Sequence, residues 1–379
     1  MSEKQGNKAL SEESVEKEIS IWRKVAGSIR EDIRHRLGYP ARLEHAITTG
    51  RLVPVPLNPP ADTFWMRSVI QWHTWMEFSE SGYSGPYTLD YRKPGYDRHL
   101  SCHDMPVQEV EHLISEEIIP DFTCDITAIR GISASKSLDK DIADIDEFPL
   151  ISCPNYVEPV TEDHLLENMQ HSELRLDQML FADYPWTKRR YYWHNSGGSH
   201  HFAAARFQAH RLNIPVPLHG KLYRYRVNVQ MIDTLCRKWH MFMIPKTEVF
   251  GSFYDAMNAF ECPFGNSSLP GNMHNGWGGS VPLQVIWLEC GLAKPDAVAS
   301  VLSRAGFADF ASELKNLSKQ PGNSPTINSV NLHWTGTARS TEKHTVDISA
   351  YVKPSVKRRI SSTSDQKEKN IINRSERLS

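Results

Sequence analysis

Residues 196–218, Ser-Gly-Gly-Ser-His-His-Phe-Ala-Ala-Ala-Arg-Phe-Gln-Ala-His-Arg-Leu-Asn-Ile-Pro-Val-Pro-Leu, read as a glycine turn, a helix and a strand. The aromatic run Arg190-Tyr191-Tyr192-Trp193-His194 before them reads as a strand, because aromatic residues fit a pleated, half-buried surface. Gly197 and Gly198 therefore fall at a strand-to-helix junction. Backbone N–H groups at a helix start have no partner within the helix, and with the helix dipole they favour an anion there.

Working outward, Lys221 to Asn228 alternates as a half-exposed strand with Arg224 and Arg226 on a cationic face. A helix over 229–239 and a strand over 241–244 close this unit. Upstream, 148–157 reads as strand, Thr161 opens a helix that runs to about Met169, and 174–180 reads as a further short helix. On that helix Glu173 and Asp177 stand four residues apart, on one face. They are candidates to hold Mg²⁺ or to act as a base, the bland alternative being two surface carboxylates. His194, His200, His201, His210 and His219 crowd the same region without the spacing of a zinc motif.

Nearer the N-terminus, Val15, Ile19, Trp22, Ala26, Ile29, Ile33 and Leu37 recur every three or four residues, with Ser11 to cap the start and Gly38 and Pro40 to stop it. The spacing predicts an amphipathic helix whose polar face is solvated and whose apolar face packs on the body or on a partner. The tryptophan-rich stretch 64–76 reads as a second helix with a core stripe, 80–106 as loop, 107–117 as a short helix, 122–129 as strand and 134–147 as an exposed acidic loop. Beyond 250 the run 261–280 is rich in Gly, Asn, Pro and Ser, and its 271–279 part reads as an ordinary long turn, the alternative being a mobile active-site loop and an enzyme site in 261–280. A strand over 281–289, two short helices over 294–317 and a strand over 326–334 follow. The basic, serine-rich stretch 351–379 reads as a disordered tail.

The bulk numbers are those of an ordinary folded protein: 379 residues, 40% hydrophobic, 23% charged, net charge −2. That charge argues against a surface built wholly for nucleic acid. The six cysteines show no CxxC pair, so a zinc ribbon and a disulfide scaffold are both disfavoured. With neither a leader pattern nor an apolar window of about 18 residues, the expectation is a cytoplasmic protein with no membrane association.

The segment Gly197, Gly198, Ser199, His200, His201, Phe202, Ala203, Ala204, followed by Ile214-Pro215, resembles the phosphate-binding segment of the ParB/sulfiredoxin superfamily. The sulfiredoxin branch of that superfamily has Gly-Gly-Cys-His-Arg opening a helix, Ala-Ala beyond it and an Ile-Pro strand after. The resemblance implies an α+β fold with a central ParB/sulfiredoxin-like mixed-sheet unit over 148–250, a mainly helical N-terminal region over 1–147, a C-terminal α/β extension over 251–350 and the tail. It implies a nucleotide site for ATP or CTP with Mg²⁺, with Gly197, Gly198 and His200 as phosphate contacts. Ser199 stands where a sulfiredoxin carries its nucleophilic Cys, which removes the thiol chemistry. His201 stands where the family has Arg, which replaces a permanent cation with a partly charged one.

The expected function is nucleotide phosphate binding, with NTP hydrolysis or phosphotransfer as the possible reaction. In that reading the backbone of Gly197 to Ser199 and the side chains of His200 and His201 cradle phosphate, and Arg206 neutralises charge, with Lys188, Arg189 or Arg190 as substitutes. Glu173 or Asp177 positions the metal, and Ser199, His200, Glu173 and Asp177 are the catalytic candidates. The alternative of a different class keeps the same frame as a scaffold that binds nucleic acid or an acidic protein partner through Arg224, Arg226 and the basic tail.

Overall fold

In a computed structural model, which describes residues 3–76, 85–139, 141–275 and 280–319, the long first helix α1 (Glu3–Arg36) begins upstream of Ser11 and ends before Gly38. Gly38 adopts φ +84°, the left-handed conformation that stops a helix at small steric cost. After α2 (Ala41–Thr48) the expected helix over 64–76 is absent. The chain makes two 3₁₀ turns instead, Met66–Ser68 and Trp72–Thr74, with isolated bridges at Trp65 and Gln71. The tryptophans are core, as their composition suggests, but they serve two cores. Trp65 packs with Phe148 and Phe202, whereas Trp72 and Trp75 pack with Trp287 and Phe310. One helical stripe cannot face both ways.

The part of 80–106 that is described is not loop but a hairpin, β1 (Thr88–Pro94) and β2 (Leu100–Pro106). The Pro-Gly punctuation marks its tip. Then come α3 (Gln108–Glu111), β3 (Ile114–Asp125) and β4 (Gly131–Ile132). The predicted strand over 148–157 is α4 (Glu147–Ser152) and a 3₁₀ turn, followed by α5 (Glu162–Met169), which Thr161 caps as expected. The predicted helix over 174–180 is a left-handed residue, Arg175, leading into β5 (Met179–Tyr184). Leu174, Met179 and Phe181 are all buried, a pattern that short apolar runs share between helix and strand.

β6 (Arg190–Trp193), the Gly-Gly turn and α6 (Ser199–Leu212) fall where the sequence places them. The two strands read at 214–218 and 221–228 are one, β7 (Pro217–Val227). The chain closes with α7 (Val229–Lys238), β8 (Trp239–Pro245), α8 (Val249–Phe260), β9 (Phe264–Ser267), β10 (Leu283–Glu289), α9 (Ala293–Arg304) and α10 (Phe310–Ser318). The strand expected at 326–334, the tail at 351–379 and part of the 271–279 run lie outside the described residues.

The architecture is α+β, with two five-stranded sheets. The first runs β3-β7-β5-β6-β4 and is mixed, since β5 pairs parallel to β7 and β4 parallel to β6. The second, β2-β1-β9-β10-β8, is antiparallel. Strand membership does not follow the boundary near 148: the first sheet takes β3 and β4 from before it, and β8 joins the second sheet rather than closing the first. α6 lies on the first sheet, its Phe202, Ala203, Ala205 and Ala209 packed against Phe181, Trp193, Leu218 and Leu222. Among the described residues no helix is long and apolar enough to cross a membrane.

Candidate functional site

The loop between β6 and α6 is fixed by one side chain. Asn195 Oδ1 accepts from the N–H groups of Ser133 (2.9 Å) and Ala134 (3.0 Å), and its Nδ2 donates to the carbonyls of Ala134 (2.7 Å) and Gly197 (3.0 Å). The segment after β4 is thereby stapled to the glycine turn. Gly198 then adopts φ +71°, and a Cβ on it would stand 3.0 Å from Leu174 and 3.1 Å from the Glu173 backbone. Only glycine fits both the conformation and the space.

Above this turn opens a cavity of about 360 Å³, lined by Ser135, Lys136, Tyr156, His171, Glu173 and residues 196–201. The Gly198 N–H donates to Glu173 Oε2 at 2.9 Å, so a carboxylate already sits at the helix start. That bond holds the Glu173 carboxyl below the usual carboxylate range, helped by Lys136 and His171 nearby. An anion at this position is what the helix dipole and the N–H groups select.

His200 and His201 open α6 and are both partly buried. The His200 ring stacks on Phe148 (5.3 Å between centroids), and its Nε2 lies 3.2 Å from Ser137 Oγ. The His201 ring is sandwiched between His171 (3.8 Å) and Tyr156 (4.3 Å). Its Nδ1 is 2.9 Å from Asn168 Oδ1, whose amide nitrogen donates to the Tyr156 carbonyl at 2.8 Å. Asn168 Oδ1 is thus the acceptor, His201 Nδ1 carries the proton, and Nε2 is the nitrogen that takes up a second one. Burial, then the positive fields of His171 and His200, lower the His201 pKa, which keeps it neutral near pH 7. His171 Nδ1 is buried without a hydrogen-bond partner.

Of the residues singled out in the sequence, Gly197, Gly198, Ser199, His200, His201 and Glu173 share this cavity. Two do not. Arg206 is 3% exposed and turns the other way: it pairs with Asp146 and donates to the carbonyls of Ile129 (2.7 Å) and Thr127 (3.0 Å). Two turns of helix carry it past the N-terminus to the α4 side. Asp177 is exposed, contacts Gln178 and is not on a helix with Glu173, so the expected i, i+4 pair does not exist. The substitute cations are also engaged elsewhere, Lys188 and Arg189 with Asp62 and Arg190 with Asp183. On β7, Arg224 and Arg226 share one carboxylate, Glu117, across the sheet, which offsets part of the charge of the cationic face. Among the described residues no three His, Cys, Asp or Glu side chains are placed to hold a metal ion.

Lys136, Tyr156 and His171 are among the lining residues that escaped sequence reasoning. Lys136 is a cation on the cavity wall, but it lies in the acidic stretch 134–147, whose composition signals only a loop. His171 precedes Glu173 by two residues, and a turn rather than a helix brings both to the site.

The family of unknown function DUF6685 matches residues 119–324, a span that holds every residue lining the cavity. No curated protein and no solved structure matches the chain.

Proposed function

Since the chain belongs to DUF6685, a family whose function is unknown, we propose its role from the site alone: the cavity at the start of α6 binds the phosphate of a nucleotide, ATP or CTP. The observation that carries this reading is the Glu173 carboxylate on the Gly198 N–H, an internal anion in the place a phosphate oxygen would take. Glu173 is exposed and can swing into solvent when a ligand with more negative charge and more acceptor oxygens arrives. Lys136 then supplies the point charge, and His200 and His201 flank the phosphate. The likeness of the Gly197–His201 frame to a nucleotide-binding superfamily supports a nucleotide over a simple inorganic anion.

The geometry supports binding further than turnover. A serine nucleophile needs a base on its hydroxyl, but Ser199 is buried, and His200 Nε2 and His201 Nδ1 meet Ser137 and Asn168 instead. With Asp177 remote and Glu173 on Gly198, any Mg²⁺ would arrive on the nucleotide and be held by its phosphates.

Calorimetric titration of the purified chain with ATP and with CTP, with and without Mg²⁺, tests the proposal. Heat of binding is expected for wild type and none for Gly198→Asp, whose side chain adds strain, bulk and negative charge at the helix start. Absence of heat for both wild type and Glu173→Gln would remove the proposal.

A further inference from the structure

Three rings stand in a row along the wall of the cavity at α6. His171 lies flat on His201, with 3.8 Å between centroids and 12° between planes, and His201 lies flat on Tyr156, at 4.3 Å and 23°. All three residues line the cavity. The two ends of the row differ. At the His171 end, Nδ1 is sealed from solvent. At the other end Tyr156 is 39% exposed, and among the described residues no ring other than that of His201 meets it. With one face covered by His201, the exposed surface of Tyr156 is its outer face and edge, so the stack has one open place.

That place is held ready. The 3₁₀ turn that carries Tyr156, Pro154–Tyr156, is tied to α5 and α6: Asn168 Nδ2 donates to the Tyr156 carbonyl at 2.8 Å, and Cys153 Sγ lies 3.7 Å from the His200 carbonyl. A ring fixed before the ligand arrives loses little freedom on binding, so more of the contact energy is kept as affinity.

Size decides which part of a nucleotide reaches it. The cavity holds about 360 Å³, near the lower end of the roughly 300–1,000 Å³ usual for small-molecule sites. With phosphate on the Gly198 N–H, sugar and base extend to the rim. The base is the uncharged, flat part of the ligand, and an exposed aromatic face takes any base by stacking, with a strength that follows the area of the two rings. Resting on the phosphate reading of this same cavity, we propose that the base stacks on the outer face of Tyr156 as the fourth ring of the row. The site then takes a purine nucleotide such as ATP in preference to CTP, whose base has one ring instead of two.

Calorimetric titration with ATP, CTP and inorganic triphosphate, each with Mg²⁺, tests this on wild type, Tyr156→Phe and Tyr156→Ala. Wild type is expected to bind ATP several-fold more tightly than CTP. Tyr156→Ala should weaken ATP about tenfold and leave triphosphate unchanged, whereas Tyr156→Phe, which keeps the ring, should keep the ATP affinity. Should Tyr156→Ala not fold, the wild-type complex gives a second reading: the adenine H2 and H8 resonances of ATP should move upfield, because they lie over a ring face. An ATP affinity that Tyr156→Ala leaves unchanged overturns the proposal, as do adenine resonances that stay still. Triphosphate weakened as much as ATP would make Tyr156 a support for His201 and also overturns it, and equal affinities for ATP and CTP overturn the purine preference. In each of these cases triphosphate binding to wild type leaves the phosphate reading standing. If triphosphate, ATP and CTP all fail to bind, both fall.

Discussion

Glu173 decides how the site is understood at the scale of single residues. As a metal ligand it would face a phosphate; on the Gly198 N–H it occupies, in the proposed reading, the place of a phosphate oxygen. Replacing it with Gln removes the competing charge, so Glu173→Gln is expected to tighten nucleotide binding several-fold, measured by calorimetry. Lys136→Ala should weaken binding by roughly tenfold, since it removes a charge-assisted contact worth about 1.5 kcal/mol or more. Binding should also strengthen on acidification. The His201 pKa lies below its usual value, so the free protein is neutral there, and a phosphate beside the ring favours the protonated form. Binding then takes up a proton, and affinity rises as pH falls from 7 toward 6. Titrations in two buffers of different ionisation heat read the proton directly. Gly197, Gly198, His200 and His201 were legible in the sequence because they are contiguous. Lys136 and His171 were not, because only the Asn195 staple and the turn before β5 bring them in.

Elements formed where one signal dominated. β6, α6 and α5 each carried a strand or helix pattern with a cap or glycine stop, and all three formed as read. The stretches 64–76 and 174–180 carried apolar residues without such a boundary, and tertiary packing chose 3₁₀ turns in one and a strand in the other. Arg206 shows the limit of reading a helix by proximity in sequence. It stands one to two turns from the loop, yet it serves as a buried clasp between α6, α4 and the segment after β3. Arg206→Met is therefore expected to cost about 3–5 kcal/mol of stability, because it leaves Asp146 and two carbonyls without their partner. Among folded molecules it should leave nucleotide affinity unchanged. Denaturant melts alongside calorimetry separate the two effects.

The whole molecule is held by a core that both sheets share: Leu89, Tyr91 and Trp287 of the second pack in one cluster with Ala182, Tyr184, Tyr192 and Tyr225 of the first. His73 sits in that junction against Tyr184, Trp186 and Tyr225, its Nδ1 buried and unpartnered, and burial pushes its pKa down to about 4. The unfolded chain, with His73 at about 6.5, binds more protons between those two values than the folded one does. This contribution is therefore present in full above about pH 6.5 and is lost as pH falls toward 4. His73→Phe should flatten that part of the stability profile, read from urea midpoints at a series of pH values. The two-sheet arrangement was not legible in the sequence, since β8 leaves the first sheet for the second with no local mark of the change. The α+β class was legible, as what the resemblance of the Gly197–Pro215 segment implies. The central claim remains the phosphate at the start of α6, and selective ¹⁵N-glycine NMR tests it most directly. Addition of ATP or CTP is predicted to shift the Gly198 amide resonance in a saturable way, as ligand replaces Glu173 on that N–H. A nucleotide that binds while the Gly198 resonance stays still, or one that does not bind at all, would contradict it.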